Sequence, residues 1–232
     1  MGGIRHTDLD YHSSFISLLV ILKWIIWNFV SSVLKDRSAV VMALINFFFR
    51  YGRLKRIPRT GWLLRGVSLG DVESVAEHTL RTAAISMILA HLLCSRGIKV
   101  DVLKVVEMAI LHDLAEAMIL DVNRDVSRRI GSERKEYMER IAEDILLEEL
   151  PEDLKGMYRK TLDELHRGES LEARIVRTSD RLETIMQAVE YSYKYAAAVL
   201  EVFYQDINEV EDFSLDELKE LIGQLGEKKS KR

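Results

Sequence analysis

His112 and Asp113 stand side by side in the run Glu107–Asp121, EMAILHDLAEAMILD, and two further carboxylates, Glu116 and Asp121, follow them. Imidazole nitrogen and carboxylate oxygen are ordinary ligands for a divalent ion such as Zn, Mn, Co or Fe. Adjacent helical side chains point about 100° apart, so the pair converges on one point only in a groove between helices. Glu116 lies four residues after His112 and three after Asp113, which puts it on their side of the helix. The other residues of the run, Met108 to Leu111, Leu114, Ala115 and Ala117 among them, are nearly all apolar. Charges in such surroundings are normally paired or coordinated. A lone His-Asp pair is common and carries little; here the concentration of four donors carries the reading.

The elements that must position these groups are helical. From Met42, MALINFFFRYGRLKRI reads as a helix with a basic end, stopped before Pro58. The next segment, PRTGWLLRGV, reads as a loop that brings Arg59, Trp62 and Arg65 close together. Such arginines can clamp a phosphate and such a tryptophan can flank a base or sugar; equally they can be solvated charges and a core anchor. Asp71–Ser95 reads as a long helix capped near Asp71 and closed by Gly97. It carries His78 beside an apolar stripe and His91 roughly 220° around the helix, so the two cannot share a site, and His91 reads as structural. Asp101–Met118 is the helix of the His-Asp pair, and Asp121–Gly131 is a polar connection able to grip a substrate. Ser132–Leu150 and Pro151–His166 read as a helical hairpin ended by Gly168, with His166 near the negative end of the second helix dipole. Glu169 to about Asn208 reads as one long helix, in which Asp180 interrupts the inward-facing line Ala173, Val176, Gln187. A buried carboxylate without a partner there would be unfavourable. Ser214–Leu225 forms a short amphipathic helix.

Composition narrows the class. The chain has 232 residues, 48% of them hydrophobic, a formal net charge of -4, one cysteine and two prolines. That length and apolar content bury one sizeable core. The charge gives no support for binding a nucleic acid polymer. A single cysteine, Cys94, excludes an internal disulfide and a zinc ribbon and fits a reducing cytoplasm. Scarce proline and frequent Leu, Ala, Glu, Arg and Lys point to an all-α chain.

Residues 1–41 differ from the rest. Phe15–Leu34, FISLLVILKWIIWNFVSSVL, has about membrane-spanning length and one charge, Lys23. A central lysine costs about 2.5 to 3.5 kcal/mol on insertion scales, which the surrounding Leu, Ile, Val and Phe can offset. The stretch therefore admits three readings: a membrane anchor that leaves the remainder in the cytoplasm, an extra packed helix, or an upstream start. The organisation expected is an apolar extension over 1–41, a globular domain over 42–227 and a basic tail over 228–232.

His78, then His112 and Asp113, then Asp180, each on a different long helix, is an order that resembles the HD-domain superfamily of metal-dependent phosphohydrolases. Five blocks in sequence, LKRIPRTGWLLRGV, ESVAEHT, ILHDLAEA, the aspartate at 121 and ARIVRTSDRLETIMQAVEY, are similar to the branch typified by YfbR-type 5'-deoxynucleotidases and HD domain-containing protein 2. The resemblance implies an all-α helical bundle with a metal site between the long helices. It also implies that His78, His112, Asp113 and Asp180 ligate one divalent metal (Co, Mn, Zn or Mg). Glu116 then matches the catalytic glutamate, Asp121 the sugar-contacting aspartate and Arg59 the phosphate-binding arginine, with Trp62 beside the substrate. The implied reaction removes the 5'-phosphate from a nucleoside 5'-monophosphate, ribo or deoxy, in a homodimer. Two other functions stay in view: a phosphodiesterase or alarmone hydrolase of the same superfamily, for which only His166 could be an added ligand, and a non-catalytic nucleotide-binding regulator tethered through residues 15–34. The chain departs from the branch at Leu120, where glycine is common, and in the stretch before Met42.

Overall fold

The structure is a computed structural model that describes residues 23, 24, 26–28, 37–195, 199, 207, 210, 211 and 213–230. The chain divides into two units, Met1–Asn46 and Phe47–Arg232. In the first, the described residues are helical. Among the described residues no helix is long and apolar enough to cross a membrane, and most of the apolar stretch 15–34 lies outside them.

The second unit is all-α. A 3₁₀ turn, Gly52–Arg56, leads into α1 (Thr60–Leu63), α2 (Val75–Ser95), α3 (Val102–Leu111), α4 (Glu116–Ile119), α5 (Arg124–Ile130), α6 (Ser132–Leu147), α7 (Glu152–Arg167), α8 (Leu171–Tyr191) and α9 (Asp216–Ser230). The only extended pairing among the described residues is one antiparallel bridge between Pro58 and Ser74. Its two hydrogen bonds, Arg59 N to Glu73 O and Val75 N to Ile57 O, fasten the Arg59 segment to the start of α2.

Capping chemistry explains where the helices start. Ser74 accepts from the Glu77 amide while the Glu77 carboxylate accepts from the Ser74 amide, a reciprocal capping box. Asp101 caps α3, Asn123 caps α5 and Ser170 caps α8 with their side-chain oxygens. Gly168 ends α7 at φ 69°, a left-handed conformation that favours glycine, and the Arg177 guanidinium packs where a side chain would stand.

Four expectations of element bounds are corrected. The cap of α2 is Ser74 and not Asp71, whose carboxylate is instead held by Lys194, Tyr195 and Ser68. The His-Asp helix stops at Leu111; from there the amides of Leu114, Glu116, Ala117 and Met118 bond three residues back, a tightened turn through the pair. The polar connection after Asp121 contains α5, because Asn123 supplies the cap that starts it. Helix α8 ends at Tyr191 rather than near Asn208. There Tyr191 Oη donates to the Asp71 carbonyl and accepts from the Glu73 amide, and the chain turns at Ser192–Tyr195. Residues 196–198, 200–206 and 208 of the expected helix lie outside the described ones.

Helices α2, α3 and α8 pack on one another around Leu89, Leu93, Val105, Met108, Ile175 and Leu182, with Leu165 of α7 and Leu218 of α9 closing the ends of that core. Each such side chain contributes about 1.5 to 3 kcal/mol by leaving water. The core holds α2, α3 and α8 rigidly side by side. Their shared groove is where His78, His112 and Asp180 meet.

Candidate active site

His78 projects from α2 and is wholly buried. Its Nε2 lies 3.1 Å from Asp180 Oδ1, 3.3 Å from His112 Nε2 and 3.6 Å from Asp113 Oδ2. Asp113 Oδ2 is in turn 3.2 Å from His112 Nε2. His78, His112 and Asp180 thus present ligand atoms within 4.8 Å of one another, and Asp113 adjoins both histidines. The tautomers are fixed from outside the cluster. His112 Nδ1 donates to the Ala109 carbonyl at 2.7 Å and His78 Nδ1 to Glu183 Oε2 at 2.5 Å, so each ring turns a free Nε2 lone pair inward. Two imidazole lone pairs and two carboxylates facing one point repel unless a positive charge lies among them. Burial and Arg59 depress the His78 pKa, yet Asp180 and Glu183 overcome both and lift it to about 10, so a proton fills that role when no other cation does.

Glu183 is a site residue that the sequence reading missed. Its buried carboxylate is gripped by Arg81, whose Nε and Nη2 donate to Oε1 at 2.9 and 2.7 Å. Arg81 is itself anchored by Gln187 and Glu190. The signal was present: Glu183 follows Asp180 by three residues and so shares its side of α8. Replacing Glu183 by glutamine should weaken metal affinity by about 10- to 100-fold and lower activity at limiting metal, as expected for the partner that orients a ligating histidine. Metal titration followed by activity at saturating metal checks this, because positioning through affinity predicts recovery there.

Glu73 lies on the other side of His78, buried, accepting from Trp62 Nε1 at 2.9 Å. Burial, then the nearby Glu183 charge, raises its pKa to about 7. The folded state therefore holds a proton that the unfolded chain releases near pH 4.5, and the stability this confers is lost as pH rises towards 7. Glu73→Gln keeps the acceptor for Trp62 without the buried charge. It should match the parent protein at pH 4.5 and exceed it by up to about 3 kcal/mol at pH 8, measured by urea unfolding at both values.

Above the cluster opens a cavity of about 250 Å³ lined by Arg59, Asp113, Glu116, Asp121, Lys135 and Asp180 among others. Burial works against the Arg59 charge, but Asp113 and Asp121 outweigh it and raise its pKa above the ordinary value. The guanidinium stands 3.5 Å from Asp113 Oδ2 and 3.8 Å from Asp121 Oδ1. Glu116 is buried, its Oε2 makes no hydrogen bond, and burial followed by repulsion from Asp113 drives its pKa well up. Asp121 is fixed by Thr60, whose amide and hydroxyl both donate to Oδ2. Trp62 borders the cavity but is only 3% exposed, its indole N–H bonded to Glu73 and its ring edge-on to Tyr191. That is a core anchor forming a wall, not a free face on which a base could stack. Arg65 is tied to the Gly61 carbonyl. Thr60 and Lys135 were also missed; each needs the tertiary fold to reach the site. His166 is placed elsewhere, 2.8 Å from Glu143, and His91 is exposed.

Leu120 precedes Asp121 with φ 66° and ψ 174°, a region essentially reserved for glycine, and its side chain is 59% exposed. Leu120→Gly removes strain of about 1 to 3 kcal/mol and little packing, against about 1 kcal/mol of added chain entropy. The variant should be as stable as the parent or up to about 2 kcal/mol more so in thermal unfolding.

Residues 51–222 match the family described as HD domain. This chain belongs to that family. Among its relatives, the human 5'-deoxynucleotidase HDDC2 is 30% identical over 189 residues, 81% of this chain and 87% of that one. The Xenopus laevis 5'-deoxynucleotidase HDDC2 is 32% identical over 154 residues, 66% and 72% of the two chains. A solved structure of a conserved hypothetical protein from Pyrococcus furiosus superposes with a TM-score of 0.67 at 32% identity, covering 79% of this chain and 99% of that one. The HD-domain match spans α2, α8 and α3 with the turn that follows it, which together carry the His/Asp cluster.

Proposed function

We propose that this HD-domain protein is a metal-dependent 5'-nucleotidase that removes phosphate from deoxyribonucleoside 5'-monophosphates, the activity for which its relatives are named. The observation that carries the reading is a buried, unpartnered carboxylate oxygen, Glu116 Oε2, in a cavity that also holds Arg59 and the inward-facing His78, His112, Asp113 and Asp180. Two neutral imidazoles and two carboxylates suit Co, Mn, Zn or Mg, and the mutual approach of their donor atoms fits one such ion. When bound, the ion supplies Lewis acidity, neutralising phosphate charge and acidifying water.

The chain's own residues do the rest. Arg59 offers its fork of N–H donors to the phosphate oxygens and stabilises the charge that gathers on them. Glu116 accepts the proton of the attacking water, and its elevated pKa makes it able to return that proton to the departing 5'-oxygen. Asp121, held by Thr60, keeps one oxygen directed at the cavity for a sugar hydroxyl. A phosphodiesterase or alarmone reading is weaker, because His166 is bonded to Glu143 and not near this cluster. The proposal includes a cytoplasmic homodimer whose catalytic domain is residues 42–227.

The test is phosphate release from eight ribo- and deoxyribonucleoside 5'-monophosphates after adding Mn, Co, Mg or Zn to metal-stripped protein, with a chain starting at Met42 beside the full one. Metal-dependent turnover favouring deoxy substrates supports the reading. Bound metal with no turnover of any monophosphate sinks it. Light scattering of the same samples decides the dimer.

A further inference from the structure

Among the described residues that line the catalytic cavity, α6 contributes one, Lys135. Its side chain is 32% exposed and its ammonium is ion-paired with Glu139, one helical turn further on. Glu139 does not line the catalytic cavity; it lines a neighbouring hollow of about 400 Å³, which Lys135 also borders. Lys135 therefore stands in the partition between the two spaces and is anchored from the side away from the reaction centre. The pair contributes little to the helix. Contacts of this kind are worth about 0.3 to 0.5 kcal/mol, and lysine ahead of glutamate is their weaker order. What the pair does is hold Nζ in place. An ammonium has three N–H donors, and Glu139 is the described acceptor of one.

The charge on that ammonium is secure. Burial works against it, but Glu139, then Asp113 and Glu116, outweigh burial and raise the Lys135 pKa. Its field thus reaches both carboxylates beside which the substrate would react. Arg59, the other cation with that reach, already stands 3.5 Å from Asp113 and 3.8 Å from Asp121. A phosphomonoester at neutral pH brings two negative charges into this cavity, and a guanidinium shared between two carboxylates balances them incompletely. Lysine suits the remaining task, because its ammonium is a compact point charge on a flexible stem.

Resting on the 5'-nucleotidase reading above, we propose that Lys135 is a second phosphate-binding residue, whose ammonium donates to a non-bridging oxygen of the substrate's 5'-phosphate while Glu139 positions it from behind. Lys135 then reads the phosphate and is indifferent to sugar and base. The contact persists in the inorganic phosphate that the reaction leaves, so that ion is the smallest probe of it.

The test uses the metal-loaded full chain and two probes, inorganic phosphate and a deoxynucleoside that carries no phosphate. Calorimetry gives Kd for each, and kinetics on the same samples give kcat and KM for the corresponding 5'-monophosphate. Lys135→Met should weaken phosphate binding by about 10- to 100-fold and leave deoxynucleoside binding within about twofold, with the loss in kcat/KM falling chiefly in KM. Lys135→Arg, which keeps the charge, should recover most of the phosphate affinity, and raising salt should narrow the gap between the parent protein and the methionine variant. Glu139→Gln should give a smaller loss of the same kind. Thermal unfolding and metal content show that each variant is folded and loaded, and Lys135→Gln replaces the methionine variant if that one does not fold. Unchanged phosphate affinity in a folded, loaded variant overturns the assignment, as does equal weakening of the two probes or a loss confined to kcat. No turnover of the monophosphate by the parent protein overturns the nucleotidase reading instead, and the phosphate Kd still decides the role of Lys135.

Discussion

Glu116→Gln should lower kcat by about 10² to 10⁴ while leaving KM and bound metal close to the parent values. The side chain keeps its shape, so Arg59 and the four proposed ligand side chains retain their neighbours. What disappears is, among the described residues, the one oxygen in the cavity wall that is both buried and without a hydrogen-bond partner. Burial and the Asp113 charge make Glu116 reluctant to ionise, and Arg59 opposes them. An acceptor balanced in this way loses its proton at a higher pH than a surface glutamate. The acid limb of the kcat profile in the parent enzyme should therefore lie above the ordinary carboxylate range, and it should flatten in the glutamine variant. Steady-state kinetics from pH 5 to 9, with metal content measured on the same samples, checks both parts. A loss below tenfold with metal still bound would mean that another group moves the proton.

How much of this site was legible in the sequence depends on whether a residue's neighbours are local. Glu116 was readable because it follows His112 and Asp113 by four and three residues in a run with helical periodicity, and the tightened turn after Leu111 keeps it beside them. Asp180 was readable as a carboxylate breaking an apolar line. Glu183 carried the same signal one turn on, but its meaning lies in a bond to His78 across 105 residues. Lys135 and Thr60 had no local signal at all, since an amphipathic helix and a short polar turn look alike with or without a cavity beside them. Trp62 was open between a stacking face and a core anchor; Glu73 and Tyr191, both distant in the chain, decide for the anchor. The misplaced helix ends have the same origin. Periodicity continued past Leu111 and Tyr191, but the chain turns there because tertiary partners capture it: Tyr51 Oη takes the Ile110 carbonyl, and Tyr191 reaches back to Asp71 and Glu73. Leu120 is the reverse case, a local rule broken in plain view, with positive φ at a branched residue just before Asp121.

Asp113→Asn should abolish metal-dependent turnover, a loss of at least about 10³, and should do so in a way that separates this carboxylate from Asp180. Asp113 Oδ2 is the common neighbour of His112, His78 and Arg59. Burial disfavours its charge, but the neighbouring His112, His78 and Arg59 hold its pKa far below the usual carboxylate range. Neutralising it leaves a buried guanidinium and two imidazoles without their shared counter-charge, which should destabilise the metal-free protein by about 2 to 4 kcal/mol. Asp180 is different: its side chain is 38% exposed and its described ion pair is to His78 alone. Asp180→Asn should therefore lose the metal with a much smaller change in metal-free stability. Thermal unfolding with and without Mn or Co reads both effects at once. An ion bound with a thousandfold excess over Kd adds about 4 kcal/mol to the parent protein, and that increment should vanish in both variants. If Asp113→Asn keeps the increment, the ion is held without Asp113 and the ligand set must be redrawn around His78, His112 and Asp180, whose donor atoms already lie within 4.8 Å of one another. If Asp180→Asn destabilises the metal-free protein as much as Asp113→Asn does, the two carboxylates share one buried charge balance and the exposed edge of the site at α8 is closed in solution.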